Sequence, residues 1–159
     1  MSAARRLPLA LTIGEPAGIG PDLTLAIWRR RVELDLPAFY LIGETDYLSR
    51  RAQMLGLDVP LAEVTPEQAG LAFANALPVV ALGLPMTAAP GKPDATSAPA
   101  AIASIRRAVA DVMAGRAGAI VTNPVAKNVL YRSGFAEPGH TEFLARLAQE
   151  ATGLSLIHI

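Results

Sequence analysis

The sequence predicts an α/β fold built on a mainly parallel sheet. Short apolar runs of strand length alternate with stretches of helical periodicity along the chain. The first of these runs, residues 7–13, is apolar on both faces, as a strand buried in a parallel sheet is. A later apolar run, 117–121, ends in Thr122-Asn123-Pro124-Val125-Ala126-Lys127, and Pro138-Gly139-His140-Thr141-Glu142-Phe143 follows shortly. A strand end that releases a hydroxyl, an amide and a lysine suits the mouth of a polar-substrate site.

Each element follows from local chemistry. After the first strand, residues 14–20 form a loop punctuated by glycine and proline. Pro21 suits the first turn of a helix and Asp22 its positive end, with Leu23, Ala26 and Ile27 as the apolar stripe. Residues 38–42 read as a second strand ending at Gly43. Thr45 is placed to cap a helix running to Gly56, with Tyr47, Leu48, Ala52 and Leu55 on one face. Residues 61–64 form a short strand, Pro66-Glu67-Gln68 a helical turn, and 77–82 a further strand. Residues 83–93 are a loop rich in proline, glycine and alanine, and the best candidate for a domain boundary. Ser97 caps a long helix to Ala114, in which Ile102, Ile105, Val109, Val112 and Met113 recur at core-packing spacing, and Gly115 stops it. The buried strand 117–121, a helix over 125–131 and a last helix from Thr141 to Ala151 complete the series.

Composition excludes several classes of function. Fourteen basic residues balance fourteen acidic ones, which argues against a nucleic-acid binder. The densest basic run, Arg29-Arg30-Arg31, reads as the solvated end of a helix. The chain has no cysteine, so disulfides, thiolate metal sites and a cysteine nucleophile are excluded, which fits a cytoplasmic protein. No run approaches membrane-span length, and the apolar stretch after Arg5-Arg6 lacks a signal peptide's longer core and cleavage site. Leu154-Ser155-Leu156-Ile157-His158-Ile159 breaks the preceding helical pattern and matches the translation of a transposon-type sequencing adapter. Residues 154–159 are therefore expected to be an artefact, with 1–153 the N-terminal part of a longer protein.

Four groups are candidates for chemistry. Gly14-Glu15-Pro16-Ala17-Gly18-Ile19-Gly20-Pro21 lacks the glycine spacing of a dinucleotide fingerprint and the Gly-Lys-Ser/Thr of a P-loop. It is either a tight structural turn or a ligand-facing loop, and Glu15 within it either orients a substrate amine or is solvated. His140 sits in a loop before an apolar helix, where it can hydrogen-bond a substrate oxygen. Thr141 reads as a helix cap, at a place where free amides also suit an anion. Lys127, one of only two lysines, can bind phosphate or carboxylate as a point charge, or be a solvated helix residue. Asn123 and Thr122 carry the same two readings.

The Gly-Glu-Pro-Ala-Gly-Ile-Gly-Pro opening, Gly91-Lys92-Pro93-Asp94 before a long helix, Val121 to Lys127, and Pro138-Gly139-His140-Thr141-Glu142-Phe143-Leu144 occur in this order and at fitting separations. From Leu7 to about Gly153 the chain resembles the 4-hydroxythreonine-4-phosphate dehydrogenases of vitamin B6 biosynthesis. The resemblance implies a three-layer α/β/α fold of the isocitrate/isopropylmalate dehydrogenase kind, here truncated, with two domains around a cleft and a homodimeric assembly. It implies NAD- or NADP-dependent oxidation of 4-phosphooxy-L-threonine and decarboxylation to 3-amino-2-oxopropyl phosphate. A divalent metal (Zn, Mg or Co) polarises the hydroxyl, and the nicotinamide takes the hydride. His140 and Thr141 match the family's substrate-binding pair. The family's three metal-binding histidines, and most nicotinamide contacts, fall beyond these residues. A chain without them is expected to be inactive and to leave apolar surface uncovered. The alternatives are a paralogue acting on a four-carbon sugar-acid 4-phosphate, or a non-catalytic module binding a phosphorylated ligand. An acyltransferase of the phosphate-acetyl/butyryl type has a related architecture, but the His-Thr-Glu and Gly-Glu-Pro segments point elsewhere.

Overall fold

The computed structural model describes residues 6–137 and 139–153, with the backbone alone at His140. The order of elements is β1 (Leu9–Thr12), α1 (Gly20–Arg29), β2 (Phe39–Gly43), α2 (Thr45–Met54), β3 (Leu61–Glu63), α3 (Pro66–Ala72), β4 (Leu77–Ala81), α4 (Ser97–Met113), β5 (Ala119–Val121), α5 (Lys127–Arg132) and α6 (His140–Thr152). The five strands form one parallel sheet in the order β3-β4-β2-β1-β5. Leu9 pairs with Phe39 on one side and with Ala119 on the other. β1 therefore lies between the first strand to follow it and the last, which is a topological switch point of an open α/β sheet.

Strand alternation sorts the core into two faces. Leu11, Phe39, Leu41, Leu77 and Val79 pack with Leu25 and Trp28 of α1 and with Tyr47, Leu48 and Ala52 of α2. Ala10, Tyr40, Ile42 and Val80 face the other way, toward Ala69 of α3 and Ala108 of α4. The result is the three-layer α/β/α sandwich expected of alternating strands and helices. Helices α5 and α6 pack on the far side of α4, through Ala98, Ala101 and Leu130, and through Ile105, Phe143 and Leu147. Residues 83–93 connect β4 to α4, and both of these pack against the one sheet.

Several expectations change on folding. Thr45 is the first residue of α2, and Glu44 holds the extended N-cap position. The Glu44 carboxylate instead receives the Leu82 and Leu84 amides at 3.0 and 3.1 Å, so it serves the end of β4. Thr96, not Ser97, stands at the N-cap of α4, and Gly139, not Thr141, at that of α6. The last strand is shorter than predicted and is not buried: Ala119 and Val121 are exposed, because β5 pairs only with β1 among the described residues. A wholly apolar groove of about 170 Å³, lined by Leu9, Leu11, Ile27, Leu36, Phe39 and Val121 among others, borders this edge. Arg31 does not simply solvate a helix end. Its guanidinium stacks 3.9 Å from the Trp28 ring and donates to the Ala74 carbonyl. Among the described residues no helix is long and apolar enough to cross a membrane. Residues 154–159 lie outside the described residues.

One buried charge organises the α4 side of the sheet. Asp111 is fully buried and accepts from the Tyr40 hydroxyl at 2.8 Å, from Arg107 at 3.0 Å and from Arg116 at 2.9 and 3.0 Å. Burial, and then the bond to Asp111, push the Tyr40 phenol well above its usual range, so it stays a donor. Replacing Asp111 with alanine is expected to cost about 3 kcal/mol, the low end for breaking a buried pair, because both arginines still reach water. A urea-unfolding midpoint within experimental error of the parent's would contradict this.

Candidate functional site

The ends of β1 and β5 meet at Asn123. Its backbone N–H donates to Thr12 Oγ1 at 3.2 Å, and its side-chain Nδ2 donates to the Thr12 carbonyl at 2.9 Å and to Thr24 Oγ1 at 3.0 Å. Thr24 Oγ1 in turn donates to the Gly20 carbonyl at 2.8 Å. The side chain is only 7% exposed, so Asn123 is a buried junction that ties the last strand to the first strand and to α1. Both protons of its amide are used inside the fold. Thr12 and Thr24, which no motif in the sequence marks, complete it.

The glycines of the first loop follow from this junction. A methyl group on Gly14 would lie 2.5 Å from the Pro124 carbonyl and 2.8 Å from Asn123 Cβ. One on Gly20 would lie 2.9 Å from Asn123 Cβ. Gly14 also has φ +70, which L side chains disfavour. The two glycines thus form a slot around Asn123, and the Glu15 N–H closes it by donating to the Pro124 carbonyl at 2.8 Å. Glu15 itself is 5% exposed. Its Oε1 accepts the Ala17 N–H at 3.0 Å, while Oε2 is buried without a hydrogen-bond partner.

Lys127 and the opening of α6 come together across the gap between α5 and α6. A methyl on Gly139 would lie 3.9 Å from Lys127 Nζ and 2.9 Å from Glu142 Oε2. Lys127 opens α5 and is exposed, and so are Thr141 and Glu142 in the first turn of α6. Phe143 anchors that turn: it is 1% exposed and meets Phe135 edge-on at 5.0 Å. Arg106 and Arg146 lie over its ring at 5.4 and 5.3 Å. The backbone of His140 begins α6; its side chain lies outside the described residues, as does Pro138. The two motifs that stand 13 residues apart at Lys127 and His140 are therefore neighbours in space. Glu15 and Asn123 belong instead to the buried junction beneath the first loop.

A cleft of about 480 Å³ lies between the start of α4 and α5, lined by Asp94, Ala98, Asn128, Arg132 and Ser133 among others. Glu15, Asn123, Lys127 and Thr141 do not line it. Its Asp94 wall is built from short bonds. Thr96 donates its hydroxyl at 2.6 Å and its amide at 2.7 Å to the carboxylate, and Thr87 its hydroxyl at 2.8 Å. Among the described residues, no three or more histidine, aspartate or glutamate side chains gather in a way that could hold a metal ion. The side chains described here do not by themselves make the metal centre that the family resemblance implies.

Two outcomes are expected. Gly14→Ala should cost about 1–3 kcal/mol through overpacking and about 1 kcal/mol more through its left-handed φ. Gly115→Ala, with φ +69 and no atom within 4 Å, should show the conformational cost alone. Equal losses in chemical denaturation would show that the slot around Asn123 is not tight. The second outcome concerns pH. The Thr96 hydroxyl, foremost, holds the Asp94 carboxyl below its ordinary value of 3.8. A carboxyl depressed on folding stabilises above its unfolded value and loses that contribution as pH falls through the folded one. The stability difference between the parent and Asp94→Asn should be full at about pH 6 and vanish near about pH 2. A difference that stays constant with pH would refute this role.

Comparison with known proteins agrees with this architecture. Residues 35–158 match the family model described as pyridoxal phosphate biosynthetic protein PdxA. Curated relatives named 4-hydroxythreonine-4-phosphate dehydrogenase include one from Bradyrhizobium diazoefficiens, 63% identical, covering 89% of this chain and 43% of that protein. One from Xanthobacter autotrophicus is 57% identical over 89% of this chain and 40% of its own length. The chain thus spans about two fifths of the length of these relatives. A crystal structure of a 4-hydroxythreonine-4-phosphate dehydrogenase from Burkholderia phymatum superposes with a TM-score of 0.78 at 27% identity, over 89% of this chain and 43% of that one. A terephthalate 1,2-cis-dihydrodiol dehydrogenase from Burkholderia xenovorans gives 0.67 at 26% identity, over 90% and 41%. The fold is the isocitrate/isopropylmalate dehydrogenase-like α/β fold of these neighbours. By its match to the family model and its identity to these relatives, the chain belongs to the PdxA family of pyridoxal phosphate biosynthetic proteins.

Proposed function

We propose that this chain is the N-terminal part of an NAD- or NADP-dependent 4-hydroxythreonine-4-phosphate dehydrogenase, cytoplasmic and homodimeric. The observation that carries the reading is the 63% identity to a relative of that name, maintained over nearly the whole chain. The geometry supports it: Lys127 stands against the opening of α6, where His140 and Thr141 occupy the first two helical positions.

In this reading Lys127 supplies a mobile positive charge to the phosphorylated substrate, and the uncapped amides at the start of α6 add partial positive charge beside it. The Thr141 hydroxyl, exposed in that turn, positions the substrate with His140. The loop of residues 14–20 forms the neighbouring wall at the carboxyl ends of the strands. The substrate's hydroxyl-bearing carbon gives up a hydride and its oxygen a proton, and the β-keto acid then loses carbon dioxide. When bound, a nicotinamide would supply the hydride acceptor and a divalent metal the polarisation of the hydroxyl. The ligands of both are expected on the part of the longer relatives that this chain does not span.

The complete protein is expected to reduce NAD or NADP in the presence of 4-phosphooxy-L-threonine and a divalent metal, and the 159-residue chain alone to give no turnover. Lys127→Met and Thr141→Val in the complete protein should each lower kcat/KM roughly tenfold to hundredfold, by removing one charge-assisted or polar contact. No reduced cofactor from the parent under these conditions would sink the reading.

A second reading is a paralogue acting on a four-carbon sugar-acid 4-phosphate. The likeness to a dehydrogenase named for a terephthalate dihydrodiol favours keeping it, because the same architecture there is paired with a substrate of a different class. Equal activity on a substrate lacking the amino group would select it.

A further inference from the structure

Six consecutive carbonyl oxygens in the first loop, from Glu15 to Gly20, each receive a hydrogen bond. The Gly18 N–H donates to Glu15 at 2.9 Å, the Leu23 N–H to Ile19 at 2.9 Å, and Thr24 Oγ1 to Gly20 at 2.8 Å. These three bonds are local. The three central carbonyls are held from elsewhere in the fold. The Tyr47 hydroxyl donates to Pro16, the Gly91 N–H to Ala17 at 2.8 Å, and Arg51 Nη2 to Gly18 at 2.8 Å. The backbone carbonyls of this loop are therefore all engaged within the protein. Its central peptides are oriented by α2 and by the segment 83–93, and its two ends by short-range bonds.

Arg51 carries the most of this arrangement. It lies in the last turn of α2, is 4% exposed, and reaches across to α1. Its Nε and Nη2 pair with the two carboxylate oxygens of Asp22, in the first turn of α1, while Nη2 also holds Gly18. Its Nη1 is buried without a hydrogen-bond partner, as is Oε2 of Glu15 in the same loop. Two groups with unused hydrogen-bonding capacity are thus retained at a place where burial makes each of them costly. Tyr47, which closes Pro16, senses the same charges: burial raises its phenol most, with Arg51, Asp22 and Glu15 acting on it in turn. Only a planar fork can serve Asp22 and Gly18 together; a lysine ammonium at the same place is a point donor.

We propose that Arg51 is a positioning residue of the substrate site, holding residues 14–20 so that the loop's backbone carbonyls are turned into the protein and the loop keeps one shape beside the ligand. This rests on the dehydrogenase reading for what the loop borders, but not for how the loop is held. The segment 83–93 is the second support of the same wall, through Gly91, so disturbing Arg51 reaches that segment as well.

The test uses the complete protein with Arg51→Lys, Tyr47→Phe and, as a structural control, Trp28→Phe. Trp28 donates to the Phe73 carbonyl at 3.1 Å from the other end of α1, so its loss loosens the fold away from the loop. Hydrogen exchange should show the Ala17, Gly18 and Gly91 amides losing protection roughly tenfold to hundredfold in Arg51→Lys, and less in Tyr47→Phe, with the amides of β2 and β4 unchanged. Trp28→Phe should leave those three amides at the parent's level. Protected loop amides in Arg51→Lys, or a loss shared equally by the strands, would overturn the proposal. In the kinetic arm, kcat/KM of Arg51→Lys should fall roughly tenfold or more below that of Trp28→Phe, with the two compared at matched thermal midpoints. Equal values would overturn the link to the substrate site. An inactive parent would refute the dehydrogenase reading instead, and the exchange result would still decide whether Arg51 holds the loop.

Discussion

The carboxyl end of this sheet depends on the amide of Asn123. The ladder between β1 and β5 stops at Leu11 and Val121, so the segments that follow the two strands need a join of their own. The Asn123 side chain supplies that join by donating to Thr12 and Thr24, which belong to β1 and α1. Because these donors and acceptors are buried, each must be paired, so the junction has one arrangement rather than several. Gly14 and Gly20 are the steric counterpart of that bond, since a side chain at either would fill the space Asn123 needs.

Two buried charges play the same part elsewhere. Asp111 draws Tyr40, Arg107 and Arg116 together on the α4 face of the sheet. Arg51 draws Asp22 and the first loop together on the α2 face. In both cases a single planar or forked ionic group collects partners from several elements, and desolvation makes the loss of any one partner expensive. Apolar packing builds the layers, while these polar hubs set how the layers and loops register with one another.

The candidate site is divided between the two kinds of surface that result. One part, residues 14–20 with Asn123, is tightly bonded and buried except at Gly18 and the exposed Ile19. The other, Lys127 with the first turn of α6, is exposed and built from long or polar side chains on a helix anchored by Phe143. The short, exposed β5 and the apolar groove beside it are consistent with a chain that spans about two fifths of its relatives' length.

The fold class was legible in the sequence because strand and helix periods are local: residues 7–13, 38–42 and 77–82 read as strands from their own apolar runs, and Gly115 ended a helix where expected. The site's motifs were legible too, since the spacing of Thr122 to Lys127 and Pro138 to Phe143 survives in the chain itself. What the sequence could not reveal was every property that depends on partners far along the chain. Asn123 carried two readings, ligand-facing or structural, and both its amide protons go to residues about a hundred positions away. Thr45 and Thr141 looked like caps, but Glu44 and Gly139 hold those positions, because the entry angle of each helix is set by its packing. Arg51 gave no signal at all, as an arginine on a polar helix face is ordinary until α1 and the first loop are folded against it. Local periodicity determined the elements. Only the tertiary structure decided which polar groups are consumed in holding the fold and which are left for chemistry, because burial and pairing are properties of the assembled chain.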